Sequence, residues 1–356
     1  MRLLICAGGT GGGVYPALTV SEILRNEQTE ILWVGSQGGM EENLVKRAGL
    51  QFEAIPAAGV HGVSLRKLPG NVMRLWKGYW QSRKILKNFQ PDVLFFTGGY
   101  VAIPMALAGL PRQSLCYVPD IEPGLALKKL TRWSDHIALS VEDSRRYFKR
   151  QEKITVTGYP IRSDLASWTK EKGLEYFGFS AATPTVLFLG GSSGARSINI
   201  AVLANAEALT ADYQVIHITG HLDWDSIQQK TRNLSARYQA FPYLHEIGAA
   251  FAAADLVVSR SGASILGEYP AFGLPAVLVP YPYAWRYQKT NADFLTARGA
   301  AILLEDQKLQ TDLLTTVQGL LMDPDRLKRM SSAMKALSQP QAAERIGALL
   351  LDLAEG

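Results

Sequence analysis

RLLICAGGTGGGVYPAL, residues 2–18, and TVLFLGGSSGARSINIAV, residues 185–202, follow one pattern: a short apolar run, a glycine-rich turn, then a helix-length segment. An apolar run without alternation reads as a strand buried on both faces, as in parallel sheets. Glycines directly behind it allow the tight strand-to-helix turn that such sheets need. Because the pattern occurs twice, the chain reads as α/β, with two Rossmann-like doubly wound parallel-sheet domains whose first loops face each other across a cleft. Strand-end loops at such switch points are where open α/β sheets bind ligands.

The runs outward from these two anchors agree. In the first half, apolar stretches at 2–7, 31–35, 93–97, 114–118, 136–140 and 154–157 are separated by helix-length segments, and in the second half TVLFLG, YQVIHIT, LVVS and AVLVP repeat the alternation. Gly158, Pro160 and a polar cluster break the pattern, which places a linker near 159–168. The expected division is an N-terminal domain over 1–160, a C-terminal domain over 161–338 and a last amphipathic helix over 339–356. A length of 356 residues suits two domains.

The segment SGASILGEYPAFGLPAVLVPYPYAWRYQKTNAD, residues 261–293, carries the chemistry. A small-residue turn opens an expected helix with a single acid, Glu268; a strand and then a loop bearing Gln288 and Asn291 follow. A helix N-terminus offers unpaired N–H groups and a positive dipole end to a diphosphate. A carboxylate a turn or two inside can accept bonds from both ribose hydroxyls, so the segment points to a nucleotide sugar. An ordinary βαβ unit with a glycine turn explains the segment equally well when it is taken alone.

Composition narrows the classes. A net charge of +5 suits nucleic acid, an anionic membrane surface or a phosphate-rich substrate. Cys6 and Cys116 both sit inside apolar runs, so they read as buried thiols of a reducing compartment. The run at 2–7 is too short for a signal-peptide core, and no stretch reaches the roughly 18–20 apolar residues of a membrane span. The dinucleotide fingerprint fails, since its third glycine falls on Val14 counting from Gly9 and on Pro16 counting from Gly11. A P-loop fails because Val14 follows Gly13 where lysine is required.

GGTGGGVYPAL, the TGGY turn at 97–100, GYPIRSDL, GGSSGARSIN and SGASILGE with Gln288 occur in the order and spacing of the MurG family, and the chain resembles that family over nearly its whole length. The resemblance implies the GT-B fold and a metal-independent inverting transfer of N-acetylglucosamine from UDP-N-acetylglucosamine. The acceptor it implies is a muramyl-peptide on a membrane-bound polyprenyl pyrophosphate, as in peptidoglycan synthesis. It further implies a peripheral location on the cytoplasmic face of the cell membrane, no nucleic-acid partner, no cofactor, and a C-terminal helix crossing back to the first domain. Carried over by position, Glu268 would hold the ribose, Leu244 would lie by the uracil, and Ala263, Ser264, Ile265, Leu266 and Gly267 would turn backbone N–H groups to the diphosphate. Ser192, Arg162, Thr10, Gly11 and Gly12 would contact the donor, and Gln288 the sugar hydroxyls.

The acceptor side departs from the family. Gly13 stands where the family's first loop has histidine, and Tyr117-Val118-Pro119-Asp120 replaces its His-Glu-Gln-Asn run. Inversion needs a base for the acceptor hydroxyl, and Asp120 and Glu122 are the candidates. Asp223-Trp224-Asp225 and Asp323-Pro324-Asp325 match a loose metal-binding pattern but sit at expected helix starts, where aspartate caps, so no metal site is expected. Residues 54–91 hold seven Lys or Arg and no acid. In the helix expected over 71–89, Val72, Leu75, Trp76, Tyr79, Trp80 and Ile85 form a partial stripe beside Arg74, Lys77, Arg83, Lys84 and Lys87. That combination suits an anionic leaflet, and equally a solvated basic face. A transferase with another lipid or glycan acceptor, a UDP-N-acetylglucosamine epimerase and a non-catalytic donor-binding relative remain open beside the leading reading.

Overall fold

The computed structural model describes residues 1–9, 11–26, 28–39, 41–59, 68–191, 194–282 and 287–356. Contacts divide the chain into two units, Met1–Arg162 with Pro340–Gly356, and Ser163–Gln339.

The first unit holds a seven-stranded sheet: β1 (Arg2–Cys6), β2 (Glu30–Ser36), β3 (Gln51–Ile55), β4 (Val93–Phe96), β5 (Gln113–Val118), β6 (His136–Leu139) and β7 (Ile154–Val156). Its order is β3-β2-β1-β4-β5-β6-β7, with every pair parallel. Alternation explains why β1 has no polar face. Leu3 and Ile5 enter one core layer with Trp33, Phe95 and Tyr117, while Leu4 and Cys6 enter the opposite layer with Val34, Phe96 and Met105. The final helix, Ala342–Glu355, covers the first of these layers through Ala343, Ile346 and Leu350, and its Arg345 Nε donates to Thr157 O at 2.8 Å. Both cysteines are buried, and burial pushes both thiols up.

The second unit holds β8 (Thr185–Leu189), β9 (Gln214–Ile218), β10 (Tyr238–Phe241), β11 (Leu256–Ser259), β12 (Ala276–Leu278) and β13 (Ala301–Leu303). They form a parallel sheet in the order β10-β9-β8-β11-β12-β13. Val186, Phe188, Val215, Val258 and Val277 pack against Ile198, Val202, Leu313 and Val317 of the covering helices.

Three strands have no counterpart among the runs read from sequence: β3, β10 and β13. All lie at sheet edges and are partly exposed; QFEAI and YQAF carry polar residues that break an apolar run, and AIL is only three residues long. In each unit the strand order reverses beside the first strand, between β1 and β4 and between β8 and β11. Both glycine-rich turns therefore sit at a switch point, where diverging loops leave room for a ligand.

Candidate active site

In the second unit β11 ends at Ser259, and Arg260, Ser261 and Gly262 carry the chain over the sheet edge. The local structure corrects the sequence reading. Instead of one helix with Glu268 a turn or more inside it, a single 3₁₀ turn, Ala263–Leu266, precedes a five-residue helix, Glu268–Phe272, that starts at Glu268. Gly262 and Gly267 bracket the 3₁₀ turn, and Gly273 in the left-handed region at φ 61° stops the helix. Ile265 N–H bonds Gly262 O at 3.3 Å and Gly267 N–H bonds Ser264 O at 3.1 Å, so these two of the five expected donors are used inside the turn. Its leading residues, Ala263 and Ser264, are left as the better anion-facing end, and with so short a helix behind them the N–H groups count for more than the dipole.

The turn is tied to the segment after β12, where Gln288 and Asn291 lie in the helix Tyr287–Ala297 and not in a loop as the sequence reading had them. Ser261 Oγ donates to Gln288 O at 2.7 Å, the fully buried Asn291 donates from Nδ2 to Ser261 O at 3.1 Å, and Tyr281 N–H donates to Gln288 Oε1 at 3.0 Å. Gln288 is thus held beside Ser261, and its side-chain oxygen accepts from a backbone N–H. Tyr269 donates to Ser259 Oγ at 2.7 Å; burial and then the neighbouring Glu268 charge push its hydroxyl up. Leu244 is buried after β10, beside Tyr243, whose ring stacks on His221 at 6.4 Å.

In the other glycine-rich segment of this unit, Gly194 and Ala195 lead into the helix Arg196–Ala204. Gly194 sits at φ 79° with the Thr219 carbonyl where a Cβ would go, so no larger residue fits. Asn199 anchors that helix: its Nδ2 donates to Thr219 O and to Asp223 Oδ2, both at 2.9 Å. Asp223 therefore spends a carboxylate oxygen on Asn199 and makes no side-chain cap, contrary to the capping expected of it; Asp323 does cap, accepting from Arg326 N–H at 2.9 Å. Asn199 Oδ1 meets His217 Nε2 at 2.9 Å, and Tyr238 Oη lies 2.6 Å from Nδ1. Tyr238 donating to Nδ1 and Nε2–H donating to Asn199 satisfies all three groups with a neutral ring, and burial lowers the His217 pKa to about 3.

In the first unit, Gly9 has φ 92° and the helix Gly11–Leu24 begins with three glycines. Beneath this turn lies Glu41, fully buried, accepting from Ser36 N–H at 2.7 Å, Ser36 Oγ at 2.5 Å and Gly9 N–H at 3.4 Å. A Cβ at Gly8 or Gly39 would collide with its carboxylate. Thr97 Oγ1 donates to Gly13 O at 2.7 Å, and a Cβ at Gly13 would lie 2.9 Å from the Thr97 carbonyl. Glycine at 13 thus meets a packing demand of this chain in addition to removing an imidazole. Arg162 lies in this unit, with its guanidinium 5.9 Å from the Tyr15 ring.

Tyr117, fully buried, pairs its hydroxyl with Ser140 Oγ at 2.7 Å, and Ser140 Oγ donates to Pro119 O at 2.8 Å. The residue just before Asp120 is fixed in this way. Glu122 forms an ion pair with Lys128 at 3.3 Å. Thr10 and Ser192, both expected at the donor, lie outside the described residues.

The basic helix spans Leu68–Phe89. Trp76 and Trp80 are 59% and 52% exposed and Val72 and Met73 are similarly open, while Leu75 and Tyr79 are half-buried. Ile85 belongs to the core with Leu86 and Phe89, which corrects its placement on the exposed stripe. Arg83 lies over the Trp80 ring at 5.8 Å, and Lys84 is exposed. Trp76, Trp80, Arg74 and Lys77 line a groove of about 840 Å³ together with Gln37, Pro56 and Ala57.

Glu41 and Arg260 were not singled out from the sequence, and Thr97 was noted only as the start of the TGGY turn. Glu41 reaches Gly9, Thr97 reaches Gly13 and Arg260 reaches Ser197 and Asp306, all remote along the chain.

The chain matches the glycosyltransferase family 28 N-terminal domain over residues 3–138 and the family 28 C-terminal domain over residues 185–346. It is 36% identical, over 100% of both chains, to the UDP-N-acetylglucosamine–N-acetylmuramyl-(pentapeptide) pyrophosphoryl-undecaprenol N-acetylglucosamine transferase of Halothermothrix orenii. With the protein of the same name from Caldanaerobacter subterraneus subsp. tengcongensis it shares 37% identity, over 97% of this chain and 98% of the other. Among solved structures it is similar in fold to Acinetobacter baumannii MurG, with a TM-score of 0.77 at 23% identity and 99% of each chain covered. It also resembles in fold the UDP-N-acetylglucosamine 2-epimerase of Neisseria meningitidis, with a TM-score of 0.71 at 13% identity, covering 99% of this chain and 100% of the other.

Proposed function

The chain belongs to glycosyltransferase family 28, and from that membership we propose that it transfers N-acetylglucosamine from UDP-N-acetylglucosamine to an undecaprenyl-pyrophosphoryl N-acetylmuramyl-pentapeptide, a step of peptidoglycan synthesis. The observation that carries this reading is full-length similarity to relatives bearing that name, with both family domains in place.

The second unit takes the donor. Glu268, at the start of its helix, accepts from the ribose hydroxyls; the leading end of the 263–266 turn meets the diphosphate; Gln288, drawn to Ser261, reaches the sugar; and Leu244 flanks the uracil. Electrostatics favour this unit for the diphosphate. The first unit's turn has the Glu41 carboxylate buried beneath it, whereas the second unit's turn follows an arginine. In the transfer, the acceptor hydroxyl attacks the anomeric carbon, the bond from that carbon to the diphosphate oxygen breaks, UDP departs with the electron pair, and the hydroxyl proton passes to a base. We assign the base to Asp120, which follows the Pro119 carbonyl held by Ser140, with Glu122, the ion-pair partner of Lys128, as the alternative. Backbone N–H groups and protein cations meet the charge on departing UDP, with no metal required.

The helix Leu68–Phe89 docks on the membrane. Val72, Met73, Trp76 and Trp80, all exposed, would enter the interface while Arg74, Lys77, Arg83 and Lys84 meet anionic headgroups, in keeping with a peripheral location on the cytoplasmic face. Among the described residues no helix is long and apolar enough to cross a membrane.

The test is incubation of the purified protein with UDP-N-acetylglucosamine and a short-chain lipid-linked muramyl-pentapeptide, with Asp120→Asn beside the wild type. A disaccharide product from the wild type and its near-loss in Asp120→Asn are expected. UDP-N-acetylglucosamine epimerised at C2 without transfer would sink the transferase reading, and full turnover by Asp120→Asn would remove that residue as base.

A further inference from the structure

Arg260 immediately precedes the donor turn and lies largely out of solvent, with only 10% of its side chain exposed. Its Nη1 pairs with Asp306 Oδ1 at 2.5 Å and also donates to Val279 O at 3.1 Å. Its Nη2 donates to Ser197 Oγ at 2.7 Å, and Ser197 Oγ in turn donates to the same Asp306 oxygen at 2.7 Å. A closed Arg–Ser–Asp ring therefore joins four strand ends of one domain. Arg260 follows β11, Val279 follows β12, Asp306 follows β13, and Ser197 lies in the first turn of the helix behind the glycine loop of β8.

We propose that Asp306, acting through Arg260, is a positioning residue for donor binding; this rests on the assignment of the donor to the second unit. Asp306 accepts from both Arg260 and Ser197, so it fixes the guanidinium in one orientation and sets where the chain leaves β11 for Ser261 and the 263–266 turn. Without it the described partners of Arg260 are the Val279 and Pro280 carbonyls, the Ser197 hydroxyl and the Tyr281 ring, none of them an anion. A largely buried guanidinium that has lost its carboxylate is costly to keep in place, so it swings toward solvent or toward an anionic ligand. Either motion shifts the turn whose N–H groups and following acid meet the nucleotide, while leaving the acceptor's own contacts alone.

The experiment is calorimetric titration of UDP-N-acetylglucosamine, with steady-state kinetics, on the full chain. In Asp306→Ala the donor Kd and KM rise about tenfold, with acceptor KM within about twofold of wild type. Ser197→Ala, a milder change, moves donor KM the same way by about threefold. Because Asp306→Ala also exposes the fold to a lone buried charge, the double variant Arg260→Met/Asp306→Leu separates the roles: it regains the wild-type Tm but keeps the raised donor KM. Unchanged or tighter donor binding in Asp306→Ala overturns the proposal, as does recovery of both Tm and donor KM in the double variant. Absence of donor binding by the wild type would instead reject the donor assignment itself, and this inference with it.

Discussion

The two glycine-rich turns, one after β1 and one after β8, start from the same pattern and are held in opposite ways. Behind the first, a buried carboxylate gathers N–H and hydroxyl donors from Ser36 and Gly9, and Thr97 packs against Gly13 so closely that only glycine fits. Behind the second, Asn199 and neutral His217 pin one side of the following helix while the Arg260–Asp306 pair pins the other through Ser197. Identical backbone requirements thus leave different electrostatics at the ligand-facing surface. One turn is underlain by negative charge, and the other by a balanced ion pair and neutral dipoles. A diphosphate is better received by the second.

Acid distinguishes the two supports most strongly. Folding depresses the His217 pKa to about 3, so between that value and its unfolded value of about 6.5 the unfolded chain holds the extra proton. Stability is lost as the pH falls through this window, by at most roughly 5 kcal/mol. Denaturation midpoints measured from pH 7 to 4 should show this slope in the wild type and a flatter one in His217→Gln; equal slopes would remove His217 from the account. Under the first turn, Glu41→Ala leaves buried donors without an acceptor and costs about 3 kcal/mol of unfolding free energy, read by chemical denaturation. A change under about 0.5 kcal/mol, typical of a surface position, would break the contrast.

Ligand affinity sharpens it further. Glu268→Ala, which removes a charged acceptor from two ribose hydroxyls, should lower kcat/KM by about 100-fold, while a 2′,3′-dideoxy donor should be handled equally by both proteins. Discrimination by the variant equal to that of the wild type would refute the ribose role. Gly13→His tests the packing at the first turn. The added Cβ meets a backbone carbonyl that cannot rotate away, so destabilisation by about 1–3 kcal/mol is expected in place of any gain in activity. A faster, equally stable variant would show that the space exists. The smallest effect belongs to the exposed face of the helix Leu68–Phe89: Trp76→Ser should weaken sedimentation with anionic vesicles about tenfold, and 0.5 M salt should weaken the wild type as well. Unchanged vesicle binding in the variant would argue against insertion of that ring.

Legibility followed burial. The central strands were plain in the sequence because a strand covered on both faces is almost wholly apolar, as LLIC and VLFL are, whereas the edge strands QFEAI and YQAF carry polar residues on a wetted side and the edge strand AIL is too short to stand out. The helix 68–89 was legible as an element, but its two halves were not: Ile85 faces the core and Trp76 the solvent, a distinction set by which part of the helix the sheet and the helix Ala102–Ala108 cover. In the donor segment, the residue types and their order were legible, yet SGASILGE reads as one helix until its two glycines are seen to divide it into a 3₁₀ turn and a five-residue helix.

By itself the sequence determined the two-domain parallel α/β class, the glycine-rich turns behind the first strand of each sheet, and the family whose motifs those turns carry. These are properties of short windows, where apolar period and glycine placement constrain the backbone directly. Only the tertiary structure decided what stands behind each turn. Glu41 beneath Gly9, the Thr97 carbonyl against Gly13, and Asp306 beside Arg260 are pairings between strand ends that are far apart along the chain and adjacent in the sheet. A carboxylate shows no local sign of whether it will be solvated or buried, and that outcome, set by strand order, determines what it does.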